Sequence, residues 1–423
     1  MDAPAETLGV EGAGMKLAEG MVFHPRLELS TGYQTNVFHQ DSGDAGAWVG
    51  AALARIGVGA GIASTPLQRI RELSPGAEPP ARRLAFDADL ELTWNQYLSG
   101  DAAASTQSDL GVGAMLDLQF FPDGPMTFEL RDGFTRAVVP PQAYTGDNVD
   151  RDKNEALAGL TFKPGGGALQ GYLTYQFTID LFERGDLAFA NRTAHTFTLG
   201  SKYQWLPKTQ FSLQARYGFV APSSAIAGYK SGGTPLQVWV GASTLITHRV
   251  GVVLRGGYAN GFYDAGPSYS TYLAMVEGRL ALGPTLRVAF GYSHDLEDSV
   301  LANYYEDHKF YARLRGQFAG RVEAKASAAV MLRAYAYGGA GPVMIGDATF
   351  CNGPRPTCSS SNRGDLVLKL DGSLEYQANA WLSLGGTYSL VADATDAYIM
   401  SDGAFDSSAY VAHELMATGT ARF

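Results

Sequence analysis

Long apolar runs are missing from this sequence. No stretch of about eighteen consecutive apolar residues occurs anywhere in the chain, so a membrane-spanning helix is excluded. Charged residues make up only 17% of the 423 residues, while glycine occurs 51 times, and this mixture favours many strands over helices. Strands cross a bilayer only as a closed barrel, because every backbone N–H and C=O group must find a partner. The alternative fold is a soluble sandwich of two sheets.

Cysteine is nearly absent. The only two cysteines, Cys351 and Cys358, stand at the ends of the segment CNGPRPTC. Such clustering fits an oxidising compartment, for example the bacterial envelope. We predict a disulfide between them in a long outer loop, with only a local stabilising effect because the closed loop is short.

An excess of positive charge is also missing. The formal net charge is −10, which argues against nucleic acid as a partner and against a basic surface attracted to anionic lipid. Met1 is followed by Asp2, Ala3 and Pro4 rather than by a basic region and an apolar stretch, so no signal peptide is visible. We therefore expect the sequence to be the mature form.

What the sequence does contain is an alternation of apolar and polar residues with period two. Between Phe23 and Val37, one face carries large apolar residues such as Leu27 and Leu29. The other face carries only polar or minimal residues, among them Arg26 and Glu28. In a membrane barrel the apolar face contacts lipid and the polar face lines the lumen.

The alternation recurs along the whole chain, and the connections between its segments alternate too. We count about eighteen segments, an even number as bacterial single-chain barrels require. Short turns such as Phe121–Pro125 and Lys163–Gly167 alternate along the chain with longer loops rich in Asp, Ser, Asn and Gly. Short periplasmic turns and long external loops are typical of outer-membrane barrels, whereas a sandwich has no reason to alternate in this way. The sequence predicts an all-β, antiparallel, up-and-down transmembrane barrel in the bacterial outer membrane.

The domain boundaries follow from where the alternation begins. We expect residues 1–21 to form a periplasmic N-terminal tail and residues 22–423 to form a single barrel. One connection on the short-turn side is long: within Ile62–Arg83, Leu67, Ile70 and Leu73 can share one short helical face that docks a periplasmic partner. Four prolines in this connection favour a linker instead.

The last segment, Tyr410–Phe423, ends on an aromatic residue of the apolar parity. A terminal aromatic after an alternating strand resembles the recognition signal of the bacterial barrel-assembly machinery. His413 falls on the same parity, so it is expected near the outer rim or at a bulge.

The opening segment, Gly14–Phe38, carries a family resemblance. Its residues His24, Pro25, Leu27, Gly32, Tyr33, Asn36, Val37 and Phe38 resemble the start of a family of outer-membrane barrels that includes porin-like barrels and exopolysaccharide-export components of myxobacteria. The resemblance implies a role in export, with a separate periplasmic protein as the partner that delivers the polymer.

No enzymatic machinery is visible. Seven histidines are scattered over different predicted strands and loops, none in a recognisable catalytic motif. The acidic segment DNVDRDKNE, at residues 147–155, offers oxygen ligands of the kind that calcium prefers, but it lacks the glycine and spacing of a calcium-binding loop. An acidic, solvated loop is favoured, with lipopolysaccharide as a contact through divalent ions. We expect no catalytic residues, no cofactor and no protein-bound metal.

The informative chemistry lies on the lumen parity. We predict an acidic wall from the early strands, made of Asp87, Asp89, Glu91, Asp117 and Glu129. We predict a basic wall from the later strands, made of Arg216, Arg255, Arg279, Arg287, Arg313, Arg315, Arg321 and Arg333. Facing charged walls orient and select solutes by their field. The alternative is mutual salt bridging with acids such as Glu277, Glu323 and Glu375, which has no transport meaning.

Two functions are consistent with such a lumen. In the first, the chain is the outer-membrane component of a polysaccharide-export system, and the basic wall guides the polymer. In the second it is a passive porin for small polar or anionic solutes, since about eighteen strands leave an aqueous channel when nothing plugs it. An adhesive barrel is least favoured, because most loops are of ordinary length. In every case the outer surface contacts outer-membrane lipid and lipopolysaccharide.

Overall fold

A computed structural model describes residues 14–18, 20–39, 49–64, 83–139, 149–183, 185–223, 230–299, 302–336, 343–345, 348–351, 363–395, 397–401, 404–407 and 409–423. Among these residues, no helix has the length and apolar character needed to span a membrane. Most of them lie in long antiparallel strands.

Eighteen of these strands form one continuous antiparallel ladder. In chain order they are β1 (Met21–Gln34), β2 (Ala51–Ser64), β3 (Leu84–Leu98), β4 (Asp109–Phe120), β5 (Met126–Val139), β6 (Val149–Phe162), β7 (Leu169–Phe182), β8 (Arg192–Leu206), β9 (Thr209–Pro222), β10 (Leu236–Leu245), β11 (Val250–Asn260), β12 (Ser270–Ala281), β13 (Leu286–Glu297), β14 (Tyr305–Phe318), β15 (Val322–Tyr335), β16 (Gly364–Gln377), β17 (Leu382–Thr395) and β18 (Tyr410–Arg422).

The ladder closes on itself, because β18 pairs with β1 from Arg26 opposite Arg422 to Gln34 opposite Glu414. The amide of Phe423, the last residue, continues this pairing by donating to the carbonyl of Pro25 at 3.1 Å. A short strand, Met15–Ala18, pairs with the start of β1, at the end of the barrel that holds both chain termini. The predicted all-β barrel of eighteen strands is therefore confirmed.

The connections between the strands contain short helical turns and one small sheet. The helix α1 (Ala102–Ser105) is capped by Asp101, whose carboxylate accepts from the amides of Ala103 and Ala104. Two 3₁₀ turns, Pro164–Gly166 and Gly185–Ala190, lie in connections. The loops after β15 and β17 contribute two hairpins that pair into a four-stranded sheet, with strands Val343–Ile345, Ala348–Cys351, Tyr398–Ser401 and Ala404–Ser407.

The two faces of the strands separate apolar from polar side chains. Large apolar residues of one parity are exposed on the outside, for example Ile56, Leu92 and Leu199, which is 63% exposed. In a ladder without bulges, outward residues of one strand pair with outward residues of the next, as Leu92 does with Val58 and Val112. The apolar parity therefore covers the whole outside of the barrel. An apolar exterior on a closed barrel is the surface that a membrane solvates, and it places the chain in the bacterial outer membrane.

Turns and loops lie at opposite ends of the barrel. Seven connections have between two and six residues, from Phe121–Pro125 to the turn 378–381, and all of them lie at the end that holds both chain termini. The three-residue turn after β14 uses Ala319 and Gly320 with φ of 49° and 68°, a left-handed pair that closes a hairpin between β14 and β15. This end is the periplasmic one, because short turns face the periplasm in outer-membrane barrels.

Aromatic pairs mark the turn end of the outer face. The rings of Trp381 and Phe423 stack with their centroids 5.8 Å apart, and Trp205 and Phe211 lie 5.7 Å apart. His413 lies near the loop end of β18 without a bulge, and its Nδ1 is 2.9 Å from the hydroxyl of Tyr388. Amphipathic rings at both ends of the apolar band are the expected membrane-interface residues.

Three predictions concern residues outside the described part of the chain. Cys351 ends a strand of the small sheet, but Cys358 lies outside the described residues, so the disulfide stays a prediction. The same holds for the helical face around Leu67, Ile70 and Leu73. Of the predicted N-terminal tail, residues 1–21, only residues 14–18, 20 and 21 are described, and Met21 is the first residue of β1.

The assignment of the two faces predicts the outcome of paired substitutions on β3. Leu92→Arg places a charge on the outside near the middle of the strand and should lower the free energy of unfolding by about 2 to 4 kcal/mol. Thr93→Arg, one residue along, points into the lumen and should cost much less. Chemical unfolding in lipid vesicles measures both values, and equal losses would show that the faces are assigned wrongly.

Candidate functional site

The candidate site is the lumen, lined by side chains of the parity opposite to the exposed apolar residues. Among the predicted acidic residues, Asp87, Asp89 and Glu91 lie on β3, Asp117 on β4 and Glu129 on β5. Among the predicted basic residues, Arg216 lies on β9, Arg255 on β11, Arg279 on β12, Arg287 on β13, Arg313 and Arg315 on β14, and Arg333 on β15. Arg321 is different, because it lies in the turn after β14, at the periplasmic mouth and not on a strand.

The acidic wall comprises Asp87, Asp89, Glu91, Asp117 and Glu129. Asp87 and Asp117 are direct cross-strand neighbours, an arrangement of like charges that destabilises a sheet. Two arginines from the same part of the barrel offset some of this repulsion. Arg26 reaches Glu91 at 2.7 Å and Asp89 at 3.7 Å, while Arg131 lies 2.9 Å from Asp117 and 2.8 Å from Glu129. Five carboxylates share two guanidinium groups, so this wall keeps a negative charge.

The basic wall comprises Arg279, Arg287, Arg313, Arg315 and Lys325, on β12 to β15. Its centre is Glu277, whose side chain is only 1% exposed. The carboxylate of Glu277 accepts from Arg279 at 2.6 Å and from Arg313 at 2.5 Å, and the hydroxyl of Tyr311 donates to it at 2.7 Å. A buried carboxylate with three donors fixes two arginine side chains in place while leaving their other nitrogens free to meet solutes.

Several cations of the basic wall stay exposed to the lumen. The side chains of Arg279 and Arg315 are 61% and 57% exposed. Arg287 is the direct cross-strand neighbour of Arg315, which is in turn opposite Lys325. Glu323 pairs with Arg315 at 2.8 Å and with Lys325 at 3.5 Å. Five cations against two carboxylates leave this wall positive, so the predicted salt bridging and the predicted free charge occur together.

The two walls face each other. In a closed ring of eighteen strands, the strand diametrically opposite β4 is β13, which lies at the centre of the basic wall. Both walls lie toward the turn ends of their strands, because Asp117 and Arg315 each lie a few residues from a short turn. Opposite charges across a water-filled lumen create a field directed across the channel axis.

The remaining predicted arginines lie elsewhere in the lumen. The guanidinium of Arg255 lies over the indole of Trp239, 4.9 Å from the ring centroid. Arg333, near the loop end of β15, is nearly buried, pairs with Asp307 at 2.8 Å and lies over the ring of Tyr305. Arg255 and Arg333 are therefore separate from the basic wall, although the sequence predicted one wall. Strand parity determines whether a side chain faces the lumen or the lipid, but not its position along the barrel axis.

At the loop end, four external loops form one hydrogen-bonded network over the inner side of β8 to β10. Arg192 bridges Asp180 at 3.3 Å and Asp298 at 2.6 Å. The ammonium of Lys230 is almost completely buried, where it lies 3.2 Å from Asp298 and donates to the carbonyl of Ser299. Burial lowers the pKa of Lys230, and the charge of Asp298 opposes that shift. These contacts tie the loop ends of β7 and β8 to the loops after β9 and β13.

Tyrosines complete this network. The hydroxyl of Tyr263 donates to the carbonyl of Asn303 at 2.9 Å, and its ring lies edge-on to Tyr269. Burial raises the pKa of Tyr263 above its ordinary value. Together with Arg216, these rings line a cavity of about 230 Å³ between the loops and the barrel wall. The loops thus occupy part of the lumen at its outer mouth.

Arg26, Arg131 and Lys230 were not predicted from the sequence as site residues. Arg26 and Arg131 stand on the lumen parity of β1 and β5, so the alternation alone offered the signal that they face the acidic wall. Lys230 lies in a loop, where no periodicity exists to indicate burial. The sequence predicts a solvated loop for the acidic segment at 147–155, and this prediction is wrong for residues 149–155, which lie in β6. Its carboxylates do not share one face, because Glu155 points to the lumen with Lys153 while Asp150 is on the outer parity.

Comparison with known proteins gave structural likeness only. No family model and no curated protein matches the chain. Among solved structures, it is similar to OpdK from Pseudomonas aeruginosa with vanillate, at 10% identity and a TM-score of 0.48, covering 96% of this chain and 99% of that one. It is also similar to OccK2 (OpdF) of the same organism in complex with glucuronate, at 9% identity and a TM-score of 0.47, covering 95% and 98%. The siderophore receptor PirA from Pseudomonas aeruginosa gives 9% identity and a TM-score of 0.43, covering 95% and 80%.

The closed ladder, the apolar exterior and the polar interior define the chain as an outer-membrane β-barrel. At such low identities and TM-scores, the likeness to solved structures concerns the barrel alone. No comparison supports the myxobacterial export family suggested by the opening segment, nor polysaccharide export as its role.

Removing the carboxylate at the centre of the basic wall should destabilise the barrel. Glu277→Ala leaves Arg279, Arg313 and Tyr311 without their shared acceptor and should lower the free energy of unfolding by about 1.5 to 3 kcal/mol. Glu323→Ala is the matched control: its side chain is 31% exposed and its partners are solvated, so the loss should stay below about 1 kcal/mol. Similar losses in urea unfolding of the two variants would contradict the central role of Glu277.

Adding a single methyl group at Gly233 should disturb the loop network at the outer mouth. A Cβ at Gly233 would lie 2.7 Å from the ring of Tyr263, where that loop crosses β9, so Gly233→Ala should loosen the network and speed proteolysis of the loops. Gly283→Ala, in a periplasmic turn with open space around its Cβ, is the control and should leave the rate unchanged. An unchanged rate in Gly233→Ala would show that the contact is not needed.

Proposed function

We propose that this chain is a non-enzymatic diffusion channel that favours small anionic solutes. The observation that carries the proposal is the row of exposed cations on β12 to β15, facing an acidic wall half-way around the ring. A solute with a carboxylate and a neutral body meets arginines on one side and carboxylates on the other. The field orients such a solute and raises its local concentration.

The chemistry of the basic wall favours weak binding. Arg279 and Arg313 are held by Glu277, so a passing anion meets guanidinium groups that are already partly neutralised. Arg287 has no ion-pair partner among the described residues and offers a full charge. Conduction needs binding strong enough for entry and weak enough for release, and several half-satisfied arginines meet that need better than one tight site.

A passive channel fits these features better than polymer export. The loop network around Arg192, Lys230 and Tyr263 occupies part of the lumen at its outer mouth, where it would obstruct a long polymer more than a small solute. The charged wall is also short along the axis, since its members cluster toward the periplasmic turns. A polymer guide would need weak contacts along most of the lumen.

Ion selectivity tests the proposal. Purified wild-type protein in a planar bilayer should conduct without any partner and should prefer chloride to potassium under a salt gradient. The double variant Arg287→Gln, Arg315→Gln should lower this preference at least about twofold, because it removes two exposed charges from the wall. These positions spare Glu277 and its partners, so the barrel should still fold.

The matched control acts on the opposite wall. Asp87→Asn with Asp89→Asn should raise the preference for chloride, because it removes negative charge that attracts potassium. Absence of conductance in the isolated wild-type protein, or identical selectivity in the wild type and both double variants, would overturn the proposal.

A further inference from the structure

Three histidines on the outer face are bound in the same way. His195, His308 and His413 each accept or donate a hydrogen bond at Nδ1 with a tyrosine hydroxyl of the preceding strand, at 2.8, 2.8 and 2.9 Å. The tyrosines are Tyr175, Tyr292 and Tyr388, and each pair is diagonal across two neighbouring strands. All three pairs lie toward the loop ends of their strands.

The pair on β13 and β14 has two further members. His294 is the direct cross-strand neighbour of His308, and the two imidazole rings stack with centroids 4.5 Å apart. Glu306 lies on the same face of β14, two residues before His308, and its carboxylate contacts Nε2 of His294. Ligand atoms of His294, Glu306 and His308 all lie within 4.8 Å of one another.

We propose that His294, Glu306 and His308 form a binding site for a divalent transition metal ion at the outer rim, with Zn²⁺ as the probe. Two imidazoles and one carboxylate are a ligand set that binds zinc and other divalent first-row transition metals, whereas calcium and magnesium prefer oxygen ligands only. Adjacent ligands of a tetrahedral zinc ion lie about 3.4 Å apart. The ligand atoms of these three residues are spread over up to 4.8 Å, so metal binding requires the side chains of Glu306 and His308, which are both partly exposed, to rotate inward.

The surroundings fix both histidines for this role. His294 is fully buried between the rings of Tyr272 and His308, and its Nδ1 has no partner among the described residues. Its single polar contact therefore lies on the side of Glu306. The hydroxyl of Tyr292 occupies Nδ1 of His308, which leaves Nε2 as the ligand atom and makes Tyr292 a positioning residue.

Zinc binding to the purified full-length barrel, without a histidine tag, tests the proposal. Titration calorimetry should find one Zn²⁺ per chain. His294→Ala, His308→Ala and Glu306→Gln should each weaken binding at least about tenfold, and Tyr292→Phe about tenfold. Co²⁺ in place of Zn²⁺ should give the visible absorption of a low-coordinate nitrogen and oxygen site, and that band should be lost in the same variants.

His195→Ala and His413→Ala are the matched controls, since both remove a tyrosine-bound histidine that lacks a neighbouring carboxylate. They should bind Zn²⁺ like the wild type. Each variant should conduct like the wild type, because the metal site lies on the outer face and not in the lumen. Unchanged conductance therefore serves as the check that the variant is folded. Failure of the wild type to bind Zn²⁺, or undiminished binding in all three ligand variants, would overturn the proposal. A tighter affinity for Ca²⁺ than for Zn²⁺ would overturn the assigned metal class.

Discussion

Closure of the strand ladder is the constraint on which the rest of the structure depends. In lipid, an unpaired backbone group costs several kcal/mol, so β18 must return to β1 and leave no free edge. Closure forces alternate side chains to opposite sides of the wall. One set must then satisfy lipid and the other water, and this division creates both the apolar exterior and the charged lumen.

The lumen is charged in a way that stability alone does not explain. Direct cross-strand neighbours of like charge, such as Asp87 with Asp117 and Arg287 with Arg315, weaken the ladder. Buried Glu277 limits this cost on the basic side, and Arg26 and Arg131 limit it on the acidic side. What remains is a residual charge of opposite sign on two facing walls, which is the physical basis of the proposed selectivity.

The loop end of the barrel is held together by different contacts on its inner and outer sides. Inside, Asp298 joins Arg192 at the start of β8 to buried Lys230, and so connects β8 with the loops after β9 and β13. Outside, tyrosine and histidine form interfacial pairs, and the pair of Tyr292 with His308 gains a second imidazole and a carboxylate. Both arrangements join residues that are distant in the sequence but neighbours on the barrel.

Period-two alternation by itself predicted about eighteen strands, the face of most strand residues and the end at which the loops lie, because these follow from local pleating and turn chemistry. It also placed Asp117 and Arg315 on the lumen parity. It did not place Arg321, which lies in a turn and not on a strand. It did not determine which residues meet, since register and height depend on pairing between strands. Only the tertiary structure set Arg26 beside Glu91, buried Lys230 under the loops and stacked His294 on His308, because each contact joins separate strands or loops that the closed ring brings together.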